Sequence, residues 1–262
     1  MKSVIKSNRK GRYLGLSESR ATACQYNFGI MVRESLPRRL KDATIARIHF
    51  FWICFLFEAV IEVIDDDRFY VYMDLLKQRI LKDGIVIGAD VLKVDSFLNH
   101  CIDVSLSIEM GKEFHRLFAN CAINKILTVE ASGIGLACLT AQFFNCNVVF
   151  AKKSPTRNCT DDVYFAPCHS FTHDTDNILR VSKKYISAGD KVLIIDDFLA
   201  NGEAVNAMMD IVSQAGAETV GVGIAIEKGF QDGGDALRSK GIKVESLAIV
   251  EEMNEKGIRF RN

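Results

Sequence analysis

Hydrophobic and polar positions are organised quite differently before and after residue 73. Residues 1–48 show no sustained helical or strand period, and their polar stretches offer little apolar surface to bury. The segment MDLLKQRILKDG, residues 73–84, has the spacing of an amphipathic helix, and Gly84 predicts its end. Four apolar side chains are expected on one side of this helix: Leu75, Leu76, Ile80 and Leu81. A folded domain is therefore predicted from Met73, preceded by a poorly ordered leader, residues 1–72.

Helical and strand patterns then alternate to the end of the chain. The predicted elements are a helix at about 104–119, a strand at 125–129, a helix at about 134–144, strands at 148–151, 178–182 and 191–196, a helix at 203–215, a strand at 219–227, a short helix near 233–240 and a strand at 243–250. Strands that read as continuous Val- and Ile-rich runs between helices indicate a parallel sheet covered on both faces. The fold class is α/β.

One connection is much longer than the others. Residues 152–177 are polar and contain Pro155 and Pro167, and no helix or strand is predicted within them. Loops of this length are usually functional or disordered.

Composition and charge exclude several classes of protein. With 33 basic and 33 acidic residues there is no net basic field for nucleic acid or an anionic membrane. The apolar run at 50–64 contains Glu58 and Glu62 and falls short of the roughly 20 residues that a membrane span needs. We therefore expect neither a nucleic-acid nor a membrane partner.

The eight cysteines form no CxxC pair, and most have apolar neighbours typical of reduced core thiols. The tightest group of potential metal ligands is Cys159, Cys168, His169 and His173. Its spacing matches no zinc pattern, and both histidines are expected in a solvated loop, so no metal site is predicted. Reduced thiols without an export signal indicate a cytoplasmic protein.

Two adjacent carboxylates end the apolar strand in VLIIDDFLANGEA, residues 192–204. Asp196 and Asp197 are followed by a turn into a helix, whose first amides have no partner within the helix. Small residues allow an anion to approach those amides closely: Ala200, Gly202 and Ala204. Carboxylates can hold hydroxyl groups or a divalent cation. A phosphate beside hydroxyl groups indicates a phosphorylated sugar as ligand.

A second strand-to-helix turn, EASGIG at 130–135, offers Ser132, Gly133 and Gly135 to another anion. Two such turns suggest a ligand with two phosphate groups. The chain has no Walker A loop and only part of a dinucleotide fingerprint. Simple helix capping remains an equal alternative for EASGIG considered alone.

The segment VLIIDDFLANGEA resembles the phosphoribosylpyrophosphate (PRPP) motif of type I phosphoribosyltransferases. Four segments together, at 91–100, 130–134, 194–202 and 226–230, resemble bacterial members of this family that act on xanthine, over residues 73–262. The resemblance implies a mainly parallel sheet flanked by helices, a small hood subdomain and a flexible loop formed by the long polar connection. It further implies a homodimer in purine salvage that makes xanthosine 5′-monophosphate from PRPP and xanthine, with Mg2+ bound mainly through PRPP. Another oxopurine such as hypoxanthine or guanine, or a PRPP-sensing regulator without turnover, remains open as an alternative.

The resemblance also implies roles for individual residues. Asp196 and Asp197, which would meet the ribose hydroxyls, and Lys152 form the catalytic group. Contacts to PRPP are implied for Ala200, Asn201, Gly202, Glu203, Ala204, Ser132, Gly133 and Lys153. Leaving pyrophosphate gives an oxocarbenium-like sugar, so we expect catalysis by positioning and electrostatics rather than by a nucleophile.

For the base, the resemblance implies Leu92, Asn99 and Lys228. A lysine can donate to one xanthine carbonyl, and an asparagine amide can donate and accept beside the other. An Asx turn with His100 is the competing reading of Asn99.

Two features depart from the family pattern. Related hypoxanthine-guanine enzymes carry a carboxylate at the position of Ala200, so no general base is assigned. Residues 1–72 have no counterpart in the resemblance. Our hypothesis is that they are upstream sequence read from a start codon set too early, the alternative being a genuine extension that binds a membrane or a partner.

Overall fold

The computed structural model describes residues 75–154, 162–170, 175–254 and 256–261. The expectations for the leader, for the apolar run at 50–64, and for Cys159 and His173 lie outside the described residues. For residues 169, 170, 175 and 176 the structure describes the backbone but not the side chains.

A six-stranded sheet forms the centre of the fold. The strands, in chain order, are β1 Ile85–Ile87, β2 Val91–Lys93, β3 Lys125–Val129, β4 Asn147–Ala151, β5 Val163–Ser170, β6 Thr175–Ser182, β7 Lys191–Leu199, β8 Glu218–Lys228, β9 Val244–Asn254 and β10 Gly257–Phe260. The central sheet has the order β10-β9-β8-β7-β3-β4, and every pair in it is parallel except β9 with β10. This confirms the predicted α/β fold with a mainly parallel sheet. The sequence pattern did not indicate β10.

Helices cover both faces of this sheet. They are α1 at 75–83, α2 Val104–Leu117, α3 Ser132–Phe144, α4 Glu203–Gln214 and α5 Gly233–Ser239. One apolar cluster packs α2 and α3 on one face, and a second cluster packs α4 on the other. Because β7 and β8 are buried on both sides, the strands read as unbroken apolar runs.

The predicted apolar side of α1 was partly wrong. Leu76 and Ile80 are fully buried, whereas Leu75 and Leu81 are 38% and 58% exposed. Two buried positions four residues apart form a narrow stripe, because the helix touches the core along one line. The expected end at Gly84 is observed, where the Gly84 amide donates to the carbonyl of Ile80 at 2.8 Å.

The long connection after β4 was wrongly predicted to lack secondary structure. Strands β5 and β6 form a separate antiparallel hairpin, in which Ala166, Cys168, Leu179 and Val181 are buried. The 178–182 segment therefore belongs to this hairpin and not to the parallel sheet. His169, expected in a loop, lies in β5. Alternation of buried and exposed positions was present in the sequence, but the prolines and polar residues obscured it.

A small lobe precedes α2. Strands β1 and β2 form an antiparallel hairpin, and a π-helix follows at Asp95–Asn99. Phe97 and Leu98 of the π-helix are buried in the core. The family resemblance implied a small hood subdomain but assigned no residues to it.

The cysteine prediction holds only in part. The five described cysteines are free thiols, but Cys101 and Cys138 are exposed, and only Cys168 is buried. Burial raises the pKa of the Cys168 thiol. Among the helices that the structure describes, none has the length and apolarity to cross a membrane.

Replacing Ile80 with alanine should destabilise the fold by about 2–5 kcal/mol, because a fully buried side chain leaves a cavity. The matched change Leu81→Ala, one residue along and exposed, should alter the free energy of unfolding by less than about 0.5 kcal/mol. Urea unfolding followed by circular dichroism measures both. Equal losses of stability in the two variants would contradict the finding that Ile80 faces the core and Leu81 faces solvent.

Candidate active site

The carboxyl end of β7 holds two buried carboxylates. Asp196 and Asp197 are 4% and 6% exposed, and the Asp197 amide donates to Asp196 Oδ1 at 3.0 Å. Burial, and then the charge of Asp197, raise the pKa of Asp196 well above its usual range. Burying a carboxylate is costly unless it is paired, so this pair is suited to a ligand that donates hydrogen bonds.

The turn after β7 presents free amides. Gly202 precedes α4 with φ 85°, a left-handed conformation that favours glycine, and no side chain caps the helix. The first bond into the helix is from the Asn206 amide to the Gly202 carbonyl at 2.8 Å. The amides of Glu203 and Ala204 therefore have no partner within α4, and they lie where the helix dipole favours an anion.

The second predicted turn lies against the first. Gly133, in the first turn of α3, leaves no room for a side chain: a Cβ there would lie 2.8 Å from Asp196 Oδ1 and would collide with Thr128 Oγ1. No side chain caps α3, and the Glu130–Ala131 peptide preceding it is cis. Simple side-chain capping therefore does not explain EASGIG. The parallel pairing of β3 with β7 brings these two turns together.

The two lysines after β4 have different surroundings. The positive charge of Lys153 lowers the pKa of Asp196, partly offsetting the effect of burial. The Lys153 amide also donates to Glu130 Oε1 at 2.6 Å. Lys152 pairs through its backbone with Arg180, and its ammonium group lies 5.9 Å from the Phe150 ring centroid.

Of the three residues expected at the base, Lys228 is hydrogen-bonded to the small lobe. Lys228 ends β8, is half-buried, and donates from Nζ to the Asp90 carbonyl at 2.7 Å. Burial lowers its pKa, and the charge of Asp90 opposes that shift. This contact brings the β1–β2 turn, two residues before Leu92, to the end of β8. Leu92 itself is 6% exposed within the core, and Asn99 is exposed at the end of the π-helix.

Sequence reasoning missed several residues around this site. Thr128 is fully buried, and its hydroxyl has no hydrogen-bond partner. Glu227 is 1% exposed and immediately precedes Lys228. Phe230, whose ring is 38% exposed, lies two residues after Lys228. Glu227 and Phe230 both lie in the segment 226–230 that carries part of the family resemblance, whereas nothing in the sequence pattern marked Thr128.

These features lie at one edge of the sheet and form the candidate site. Two helix N-termini, a buried carboxylate pair and two lysines surround the ends of β3, β4 and β7. Free amides bind phosphate oxygens, and carboxylates accept hydrogen bonds from hydroxyl groups. The arrangement can hold a sugar that carries phosphate at two positions.

Asp196→Asn should stabilise the ligand-free protein at pH 7 by roughly 1 kcal/mol or more, since it removes a buried charge. The raised pKa in the folded state makes the wild type lose stability as pH rises above the ordinary value of 3.8. The advantage of the variant should therefore shrink as pH falls through the raised pKa. Urea midpoints between pH 4 and 8 test this, with exposed Asp210→Asn as control. A difference in stability between Asp196→Asn and wild type that stays the same at every pH would contradict this expectation.

The fold is similar to that of solved adenine phosphoribosyltransferases. The enzyme from Saccharomyces cerevisiae aligns with a TM-score of 0.55 at 20% identity, covering 68% of this chain and 99% of that chain. The enzyme from Rhodothermus marinus aligns with a TM-score of 0.54 at 21% identity, covering 68% of this chain and 98% of that chain. At these identities the likeness concerns the fold.

Sequence comparison gives closer relatives. Xanthine phosphoribosyltransferase of Ruminiclostridium cellulolyticum is 58% identical over 188 residues, which are 72% of this chain and 99% of that protein. The protein of the same name from Clostridium novyi is 59% identical over 190 residues, covering 72% of this chain and its whole length. Residues 106–260 match the family described as phosphoribosyl transferase domain. The chain therefore belongs to the type I phosphoribosyltransferase family.

Proposed function

We propose that this protein transfers the 5-phosphoribosyl group of PRPP to xanthine, giving xanthosine 5′-monophosphate and pyrophosphate in purine salvage. The observation that carries the proposal is the buried Asp196–Asp197 pair enclosed by the N-termini of α3 and α4. Support for xanthine as the base comes from relatives at 58% and 59% identity that are named xanthine phosphoribosyltransferase. The protein is thus a pentosyltransferase.

The two turns divide the phosphates of PRPP between them. The 5′-phosphate is held by the turn at the start of α4, through Ala200, Asn201, Gly202, Glu203 and Ala204. The pyrophosphate is held at the start of α3, through Ser132 and Gly133, with Lys153 and Lys152 nearby. The ribose hydroxyls donate to Asp196 and Asp197, which compensates for the cost of burying these carboxylates.

Catalysis rests on placing charge where the reaction needs it. As pyrophosphate leaves, positive charge develops on the ribose, and the negative charge of the carboxylate pair stabilises it. Helix N-termini and Lys153 stabilise the negative charge on the departing pyrophosphate. The Asp196 side chain is fixed by the Asp197 amide, so little reorganisation is needed during the reaction.

The base is placed at the end of β8. Lys228 donates to one carbonyl of xanthine, the exposed Phe230 ring offers an apolar surface, and Leu92 and Asn99 complete the site from the small lobe. Nζ of Lys228 already makes one hydrogen bond, to the carbonyl of Asp90. Two hydrogen-bond donors on that ammonium group remain for the base.

Mg2+ fits this donor set when it is bound mainly through the phosphates of PRPP. Mg2+ prefers oxygen ligands and is usually held by one or two carboxylates together with substrate phosphates. When bound, it would neutralise charge on the pyrophosphate.

From the resemblance alone, we further propose that the protein is a homodimer located in the cytoplasm.

Nucleotide formation from PRPP should be fastest with xanthine when xanthine, hypoxanthine, guanine and adenine are compared at equal concentration. Adenine lacks the carbonyl groups that a lysine donor requires, so it should react least. Ultraviolet absorbance or chromatography of the products measures each rate. A faster rate with hypoxanthine or guanine would favour another oxopurine enzyme, and PRPP binding without any product would favour a regulator.

Lys228→Met should raise KM for xanthine about tenfold to a hundredfold, because a donor to a carbonyl is lost. KM for PRPP should change little. The exposed Lys240→Met, after α5, is the matched control and should behave as wild type. An unchanged KM for xanthine in Lys228→Met would refute the role of this lysine.

We also propose that residues 73–262 suffice for activity. The relatives match over 99% to 100% of their own lengths while covering 72% of this chain. A chain that starts at Met73 should retain kcat/KM within about twofold of that of the full chain, since no site residue precedes Leu92. Steady-state kinetics of both chains provide the test, and a loss greater than tenfold would contradict the proposed boundary.

A further inference from the structure

An ion pair with a buried carboxylate lies next to the proposed base site. Glu227 is 1% exposed in β8 and immediately precedes Lys228. Arg238 of α5 binds it with both branches of the guanidinium group, at 2.8 Å to Oε1 and 2.7 Å to Oε2. The Ser246 hydroxyl of β9 donates to the same Oε2. One carboxylate therefore ties β8, α5 and β9 together.

Two adjacent glycines connect this ion pair to the phosphate turn. A Cβ on Gly234 would collide with Glu227 Oε1 and lie 2.8 Å from Arg238 Nη1. A Cβ on Gly233 would collide with the Ala200 carbonyl and lie 2.7 Å from the Gly202 nitrogen. The start of α5 is thus pressed on one side against the carboxylate and on the other against the backbone of the turn that precedes α4.

The contacts between the turn at 200–202 and the start of α5 leave little room for one to move relative to the other. Gly202 has φ 85°, and a Cβ on it would meet the Gly233 Cα at 3.5 Å, so the turn and α5 fit backbone to backbone. A shift of α5 would move the turn at 200–202 in the same direction, because tightly packed interiors transmit displacement. The same shift would disturb the strand end that carries Lys228.

We propose that Glu227, held by Arg238 and Ser246, is a positioning residue that fixes the phosphate turn at 200–204 relative to Lys228. The proposal rests on the proposed function, in which these two places bind the 5′-phosphate and the base. Glu227 itself touches neither ligand. It acts through the first turn of α5, and its bidentate partner defines orientation as well as charge.

The chain contains a matched control for a purely structural ion pair. Glu113 in α2 is 2% exposed and is bound by both Nε and Nη2 of Arg116, at 3.0 and 2.9 Å. This pair has the same chemistry and a similarly buried carboxylate, but both of its residues belong to one helix, α2, whereas the Glu227 pair joins two elements.

The test compares Arg238→Lys with Arg116→Lys, which keep the charge and remove the bidentate geometry. Arg238→Lys should raise KM for PRPP about tenfold and lower kcat with xanthine, while Arg116→Lys should leave both within about twofold. Gly233→Ala, which changes neither residue of the ion pair and pushes on the Ala200 carbonyl, should reproduce the rise in KM. Urea midpoints show how far each variant is destabilised.

Amide hydrogen exchange at Asn206, which donates to the Gly202 carbonyl at 2.8 Å, gives a readout that does not depend on turnover. Exchange there should become faster in Arg238→Lys and in Gly233→Ala, and should stay unchanged in Arg116→Lys. Equal effects of the two Arg→Lys changes on PRPP and on exchange would overturn the proposal. If the wild type forms no product with any base, the proposed function fails, whereas the exchange pattern still decides whether Glu227 positions the turn.

Discussion

The burial of two carboxylates at the end of one central strand is the constraint on which the rest of this site depends. A folded protein tolerates Asp196 and Asp197 side by side in a nearly solvent-free position only at a cost in stability. The same burial raises the pKa of Asp196, and in the proposed function the hydroxyl groups of the ligand compensate for its cost. The neighbouring turns, strands and lysine are understood most simply as the surroundings that such a ligand requires.

The parallel pairing of β3 with β7 places the groups around the carboxylate pair. Because β3 and β7 run in the same direction, their carboxyl ends lie at one edge, and the helices that follow them begin at the same edge. Gly133 allows the start of α3 to reach Asp196, and Gly202 allows the chain to turn sharply into α4. Each glycine is needed at a close approach or at a positive φ, not for general flexibility.

The second layer of the site is ionic, unlike the apolar core that supports most of the sheet. Glu227 and Arg238 are held between β8, α5 and β9, directly behind Lys228. A buried ion pair contributes little net stability compared with apolar packing, but its geometry is strict. In the proposed function this pair lies where orientation is needed, between the lysine proposed to bind the base and the turn proposed to bind a phosphate.

Much of the architecture followed from the sequence because its signals are local. Apolar runs in β7 and β8 predicted buried parallel strands, and the residues of IIDDFLANG marked the turn into α4. The apolar side of α1 was predicted only in part, since Leu81 matches the helical period yet faces solvent. The β5–β6 hairpin was missed because Pro167 and neighbouring polar residues disguise its alternating pattern.

The sequence by itself determined the α/β class, the carboxylate pair, both strand-to-helix turns and the likeness to a family, because each depends on neighbours within a few residues. Only the tertiary structure decided that Gly133 meets Asp196, that Lys228 bonds to Asp90, and that Glu227 is held by Arg238 and Ser246. These contacts join residues 11 to 138 positions apart. Strand order and helix packing set such distances, and no local pattern encodes them.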